Sequence, residues 1–166
     1  MLTGKLILAI FAVLFLLAGC ESYDFTVNDT LVYTPEPLFS DFDVPDRALY
    51  ECIKQGIIDG KITSASQLTR LNCSHAGIET LHGLEIFTGL NQLKLSSNKI
   101  RNLAEISTMT VLEELYLDDN VVVDPVPLYQ LRSLHLLDLS DNTTLQCPDA
   151  SAFPSIETLK LPSHCG

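Results

Sequence analysis

"LKLSSNKI" at residues 93–100 returns as "LYLDDNVV" at 115–122 and as "LDLSDNTT" at 137–144. The octets start 22 residues apart, each with Leu at its first and third places and Asn at its sixth. Taking Leu90 as origin, the inward series is Leu90, Leu93, Leu95, Asn98, Ile100, Leu103, Ile106 and Met109. It recurs as Leu112, Leu115, Leu117, Asn120, Val122, Pro125, Leu128 and Leu131, then as Leu134, Leu137, Leu139, Asn142, Thr144, Cys147, Ala150 and Phe153. Upstream the same offsets give Leu68, Leu71, Cys73, Ala76, Ile78, Leu81, Leu84 and Phe87; downstream they give Ile156, Leu159, Leu161 and His164. Four full coils and a partial fifth share one register without insertions.

In L-x-L alternate side chains point to opposite faces, so both leucines enter a core and the residue between them faces solvent. An asparagine at the following bend can bond backbone groups that the turn would leave unpaired. Stacking then puts Asn98, Asn120 and Asn142 in a ladder. Ala76 and His164 take that place in the first and last coils, a departure suited to terminal repeats. The pattern resembles the leucine-rich repeats, and among them the 22-residue internalin-type class, over residues 68–166. The resemblance implies the α/β class: a short solenoid with one parallel strand per coil. At the usual strand spacing, five coils make a slab about 24 Å long.

A stack of coils needs covers at its ends. "DVPDRALYECIKQGIIDG" at 43–60 offers Asp43 or Asp46 as a helix cap, with Pro45 tolerated in the first turn. Leu49, Cys52 and Ile53 fall on one face and Gly56 can stop the helix, so a capping helix is predicted over 46–55. Residues 45–67 are read as this cap and its lead-in. Setting Cys20 aside, Cys52, Cys73, Cys147 and Cys165 allow three connectivities. Cys73 holds an inward place beneath the helix that carries Cys52. Cys147 points inward on the return of the fourth coil, and Cys165 sits at the turn of the fifth. Bridges Cys52–Cys73 and Cys147–Cys165 are therefore expected, one at each end; the alternative is four buried free thiols.

The chain opens "MLTGKLILAIFAVLFLLAGC", with Lys5 followed by thirteen uncharged residues, Leu6–Ala18. That is too short to span a bilayer comfortably and has the proportions of a secretory signal. Its end, Leu17, Ala18, Gly19, Cys20, resembles the lipobox of bacterial lipoproteins. The resemblance implies cleavage after residue 19, a diacylglycerol thioether on Cys20 and an N-acyl chain, which together hold a protein stably on its membrane. Glu21 is not the aspartate that retains such lipoproteins in an inner membrane, so in a Gram-negative cell the outer membrane is favoured. The protein is expected to face the periplasm or the cell surface. An oxidising compartment suits paired cysteines. Residues 20–44 are read as a lipidated tether; "ESYDFTVNDTLVYTPEPLFSDFDV" at 21–44 holds six acidic residues and no basic one. Its aromatics Phe25, Tyr33, Phe39 and Phe42 give a second reading, as groups that dock on the domain or on a partner.

Losing Lys5 with the signal takes the formal charge from −11 to −12. Such a surface repels nucleic acid and anionic lipid headgroups. The histidines His75, His82, His135 and His164 show no metal spacing, and "DLSDN" at 138–142 is explained by the repeat register. No phosphate-cradling loop or G-x-S-x-G elbow occurs. No catalytic residue, metal or cofactor is expected.

What remains is the outward face of the sheet: Arg70, Asn72 and Ser74; Gln92, Lys94 and Ser96; Glu114, Tyr116 and Asp118; Leu136, Asp138 and Ser140; Thr158 and Lys160. In leucine-rich repeat proteins this concave sheet commonly holds protein ligands. Tyr116 and Leu136 are read as side-by-side apolar anchors, ringed by Glu114, Asp118, Asp119, Asp138 and Asp141, which favours a partner with a basic patch. A structural subunit using the repeat as a spacer and the tether for contacts is the alternative.

Overall fold

The computed structural model describes residues 25–27, 30–34 and 36–166. Cys20, the signal and the start of the acidic segment lie outside the described residues. Among those described, no helix is long and apolar enough to cross a membrane. The chain divides into two units between Pro37 and Leu38. In the first, β1 (Phe25–Val27) and β2 (Thr30–Tyr33) pair antiparallel.

The second unit is a short leucine-rich-repeat solenoid with an N-terminal helix, α1 (Arg47–Gly60). Its sheet is β3 (Arg70–Asn72), β4 (Gln92–Lys94), β5 (Glu114–Tyr116), β6 (Leu136–Asp138) and β7 (Thr158–Lys160), parallel and in chain order. The 22-residue period sets the register: Leu71, Leu93, Leu115, Leu137 and Leu159 stand opposite one another along one row. Leu93, Leu115 and Leu137 are fully buried in that row. Short 3-10 segments on the returns, such as Ala104–Thr108 and Val126–Gln130, bring Ile106 and Leu128 in from the other side.

Each of the first four turns passes through one left-handed residue just before the asparagine place: His75, Ser97, Asp119 and Asp141, with φ between 54° and 60°. Short polar residues and His are the side chains that tolerate this region best. At two other points only glycine fits. A Cβ on Gly83 (φ +89°) would sit 2.2 Å from the Asp43 carbonyl, and one on Gly89 would sit 1.9 Å from that of Ser66. There the lead-in is pressed onto the first coil.

Several expectations are corrected. α1 runs to Gly60, past Gly56; Leu49, Ile53 and Ile57 form its buried face, and the helix stops at Lys61 in the left-handed region. Gly56 serves packing instead, since a Cβ there would lie only 3.0 Å from Leu71. Of the two readings of the 20–44 segment, Phe39 and Phe42 follow the second and dock on the domain, so a passive tether does not run to 44. They pack against Phe87 at centroid distances of 6.1 and 5.7 Å, and the Phe39 N–H donates to the Ile62 carbonyl at 2.8 Å. In the fourth coil Thr144 and Cys147 are exposed, and Leu145 supplies the buried side chain. Thr144 Oγ1 donates outward to the Val121 and Val122 carbonyls, which moves the inward place one residue on. Ala76 is exposed, and Ile156, Leu159 and Leu161 are half-buried, because no further coil covers the fifth among the described residues. The side chain of Ala150 lies outside those described.

Candidate functional site

The outward face of β3–β7 is a grid of lateral contacts at 22-residue spacing. Gln92 Nε2 donates to Glu114 Oε2 at 2.6 Å, and the Tyr116 hydroxyl donates to the same oxygen at 3.1 Å. Ser96 Oγ donates to Asp118 Oδ1 at 2.6 Å. Lys94 Nζ stands 4.8 Å from the centre of the Tyr116 ring, within cation–π range. Lys160 Nζ donates to Asp138 Oδ2 at 2.8 Å. These contacts tie the outward side chains of the second coil to the third and of the fourth to the fifth, so those parts of the face are pre-organised.

Two readings of this face need correction. Asp138 is not an exposed acid: it is 5% accessible, covered by Lys160 and accepting from the Ser140 hydroxyl and N–H. Tyr116 and Leu136 are not directly opposite. The register sets Leu136 against Glu114 and Asp138 against Tyr116, so the two apolar groups are diagonal neighbours on adjacent strands. Both are half-buried. The remaining outward residues (Arg70, Asn72, Gln92, Lys94, Glu114, Asp118 and Lys160) lie on this face at their expected places. Asp119 and Asp141 are exposed at the turns beside it.

The electrostatics follow from these contacts. Gln92 donation holds the Glu114 carboxyl below its ordinary range, with burial opposing and Tyr116 adding to the effect. Burial and the bond to Glu114 push the Tyr116 phenol up. Burial opposes the charge on Asp138, but the Lys160 and Ser140 bonds outweigh it and hold that carboxyl low. Asp138 in turn raises Lys160.

Beneath the face, the asparagines hold the turns. Asn98 Oδ1 accepts the N–H groups of Ala76, Gly77 and Ile78 at 3.1, 2.8 and 3.0 Å, while its Nδ2 donates to the Cys73 and Leu95 carbonyls. Asn120 accepts from Ile100 N–H and donates to Leu95 and Leu117. Asn142 accepts from Val122 N–H and donates to Leu117 and Leu139. Each asparagine thus satisfies its own turn and the turn of the coil before it. Ala76 has no coil before it to serve. His164, in the same place of the fifth coil, keeps part of the role through Nε2, 3.0 Å from the Leu145 carbonyl.

Bridges join Cys52 to Cys73 and Cys147 to Cys165. Donor atoms of Cys147, His164 and Cys165 lie within 4.8 Å of one another. Both sulfurs are consumed in the bridge, leaving no thiolate for a metal. Asp46, expected only to cap α1, has a second task. Oδ1 accepts from Ala48 and Leu49 N–H, and Oδ2 accepts from Glu79 and Thr80 N–H at 2.8 and 3.1 Å. Burial opposes its charge, but these four donors prevail and hold the carboxyl below the ordinary aspartate value. Only the cap was legible in the sequence; nothing near Asp46 points to residues 79 and 80.

A five-strand parallel sheet on a stacked leucine column defines a leucine-rich-repeat protein, whose fold is that of a protein-binding module. Residues 44–163 match the family described as the LRR domain of the endo-beta-N-acetylglucosaminidase EndoS, and the chain belongs to that family. Among solved structures it is similar to an internalin, InlF, from Listeria monocytogenes, at 26% identity and TM-score 0.56 over 65% of this chain and 33% of that one. It is also similar to the functional domain of InlJ from Listeria monocytogenes, at 27% identity and TM-score 0.58 over 69% of this chain and 26% of that one. The chain therefore spans about a third and about a quarter of those two structures. No curated protein matches its sequence.

Proposed function

We propose that the protein is a lipid-anchored module of the bacterial cell envelope that recognises a protein partner through the outward face of its sheet. The observation that carries this reading is the diagonal pair Tyr116 and Leu136, half-buried and framed by charged and polar side chains already held in place. An apolar centre with a polar rim is the anatomy of a protein contact. Asp118, Asp119 and Asp141 along the turn side favour a basic patch on the partner. Lipid anchoring rests on Leu17, Ala18, Gly19 and Cys20, and export is in keeping with two disulfides. Glu21 favours the outer membrane in a Gram-negative cell. The glycosidase named in the family description is a property of that enzyme, whose repeat domain is the part matched here. No catalytic residue is assigned to this chain.

The test is crosslinking of the anchored protein in its membrane, followed by partner recovery with Tyr116→Ala/Leu136→Ala. Recovery falling about tenfold with unchanged melting supports the face; equal recovery overturns it. Labelling with an alkyne fatty acid reads the anchor separately: Cys20→Ser removes the label and releases the protein from the membrane. The structural-subunit reading has one specific support, the β1–β2 pair, which gives this segment paired strands of its own. Deleting residues 25–37 separates the two readings and leaves Phe39 and Phe42 in place. A face binder keeps its partner, whereas a subunit docked through the ribbon loses it.

A further inference from the structure

We propose that the cleft between α1 and the free edge of β3 binds an extended acidic peptide by strand addition, at a site separate from the Tyr116–Leu136 centre. Two hydrogen bonds set the parity of the edge. The Gln92 N–H donates to the Thr69 carbonyl at 3.1 Å, and the Cys73 N–H donates to the Lys94 carbonyl at 2.8 Å. In a parallel pair, alternate residues of a strand bond the same neighbour. Thr69, Leu71 and Cys73 therefore face β4, and the main-chain N–H and C=O groups of Arg70 and Asn72 face away from it. β3 is the first strand of the sheet and pairs with β4 alone among the described residues. The Cys52 sulfur, bonded to Cys73, lies 3.3 Å from the Asn72 carbonyl and covers it, so the open groups of the edge are the Arg70 N–H and C=O and the Asn72 N–H. A row of unpaired donors and acceptors on a sheet edge is a template for another strand.

The space beside that edge has the size and shape for one. A cleft of about 720 Å³ has Gly56, Asp59 and Gly60 of α1 on one wall and Arg70 and Asn72 on the other. This lies within the range of about 300–1,000 Å³ for ligand-sized recesses. The two glycines put no side chain into it. A second recess of about 270 Å³, between Arg70, Asn72, Gln92 and Lys94, adjoins it and opens on the outward face. Arg70 makes no ion pair among the described residues, and the Lys94 ammonium stands over the Tyr116 ring. Because side chains alternate along a strand, an added strand turns every second side chain toward the face where Arg70 points. An acidic side chain there meets Arg70 directly and Lys94 beyond it. Asp59 carries the opposite charge on the helix wall, where it accepts from Gln55 Nε2 at 2.7 Å. It repels an acid on that side and so directs the peptide's carboxylate toward the sheet.

The probe is a capped hexapeptide of alternating threonine and valine with aspartate at its third place, added to the full-length protein in detergent. Amide exchange at Arg70 and Asn72 is expected to slow about tenfold or more at saturation, as bonded edge amides require. Arg70→Glu, or lysine in place of the probe's aspartate, is expected to weaken binding about tenfold or more, the scale of a charge-assisted hydrogen bond. Arg70→Gln should weaken it less, and N-methylation of alternate probe amides should remove it. Arg70 is exposed, so its variants are expected to melt with wild type. Unchanged exchange at Arg70 and Asn72 in millimolar probe overturns the site. Equal binding of the N-methylated probe overturns strand addition, and equal binding of the lysine probe overturns the acidic specificity.

Discussion

At the first coil, Leu68, Leu71 and Cys73 lie under α1 and are 3%, 6% and 2% exposed. At the fifth, Ile156, Leu159 and Leu161 hold the equivalent inward places and remain half-buried. Both ends carry a disulfide across a similar span, 21 residues at the first and 18 at the last. The difference lies in what the bridge fastens. Cys52 fastens a 14-residue helix whose apolar face completes the core, and Asp46 ties the start of that helix to the turn at Glu79 and Thr80. Cys165 fastens one short turn. The asparagine ladder adds a direction: each amide reaches back one coil, so Asn98 serves the first turn while the last relies on His164 and its own bridge. A solenoid built from one repeated unit is thus asymmetric in stability.

The largest expected break of this asymmetry is a buried charge. Leu71→Asp places a carboxylate in the covered end and is expected to abolish cooperative folding, because an unpaired buried charge costs about 3–5 kcal/mol on top of lost packing. Leu159→Asp, at the half-open end, should still fold and melt cooperatively, and parallel thermal melts of the two variants read the contrast. Asn120→Ala comes next. It leaves the Ile100 N–H without its amide partner, while the Leu95 and Leu117 carbonyls lose one of two amide donors and keep Asn98 and Asn142, so urea unfolding should show a loss of about 1–3 kcal/mol, the cost of one orphaned buried group. By contrast Ala76→Asn, with no coil before it, should change stability by less than about 0.5 kcal/mol.

Removing one bridge at a time sharpens the comparison further. Each closes a loop for which chain entropy gives about 3 kcal/mol. Cys52→Ser/Cys73→Ser should lower the global melting point, whereas Cys147→Ser/Cys165→Ser should first appear as fast amide exchange confined to the fifth coil.

A smaller effect than that of a lost bridge is set by pH. The folded Asp46 carboxyl titrates below its unfolded value of about 3.9. Its stabilisation is complete above that unfolded value and is lost as pH falls through the folded one. Wild type should therefore lose more stability than Asp46→Ala between about pH 5 and pH 2, with the gap near neutrality about 1–2 kcal/mol, the usual range for a helix cap. Curves that stay parallel through this window would sink the assignment.

The register of the stack was legible because it is written five times. One leucine carries little information, but Leu71, Leu93, Leu115, Leu137 and Leu159 at constant spacing leave a single alignment. The ladder and both cysteine pairings followed from the same count. Individual places failed where a neighbour across the stack changed the outcome. Thr144 has the right number, but carbonyls of the preceding coil drew its hydroxyl outward and Leu145 turned in. Asp138 alternates outward as predicted, yet Lys160, 22 residues later, covers it. Gly56 reads as a helix stop, and is instead the point where α1 meets Leu71. Phe39 and Phe42 stood out as aromatics in an acidic segment, which suggested docking, but that Phe87 receives them is a contact no local pattern encodes.

By itself, the amino-acid order determined the coil length, the inward leucine column, the asparagine ladder and which side of the sheet meets solvent. All of these are periodic, and periodicity is visible along a chain. Tertiary structure alone decided how tightly each end is sealed, which outward charges are already paired and which strand edge stays open. Those outcomes depend on groups that meet only after the coils have stacked, when distance in space and not separation in sequence sets the interaction.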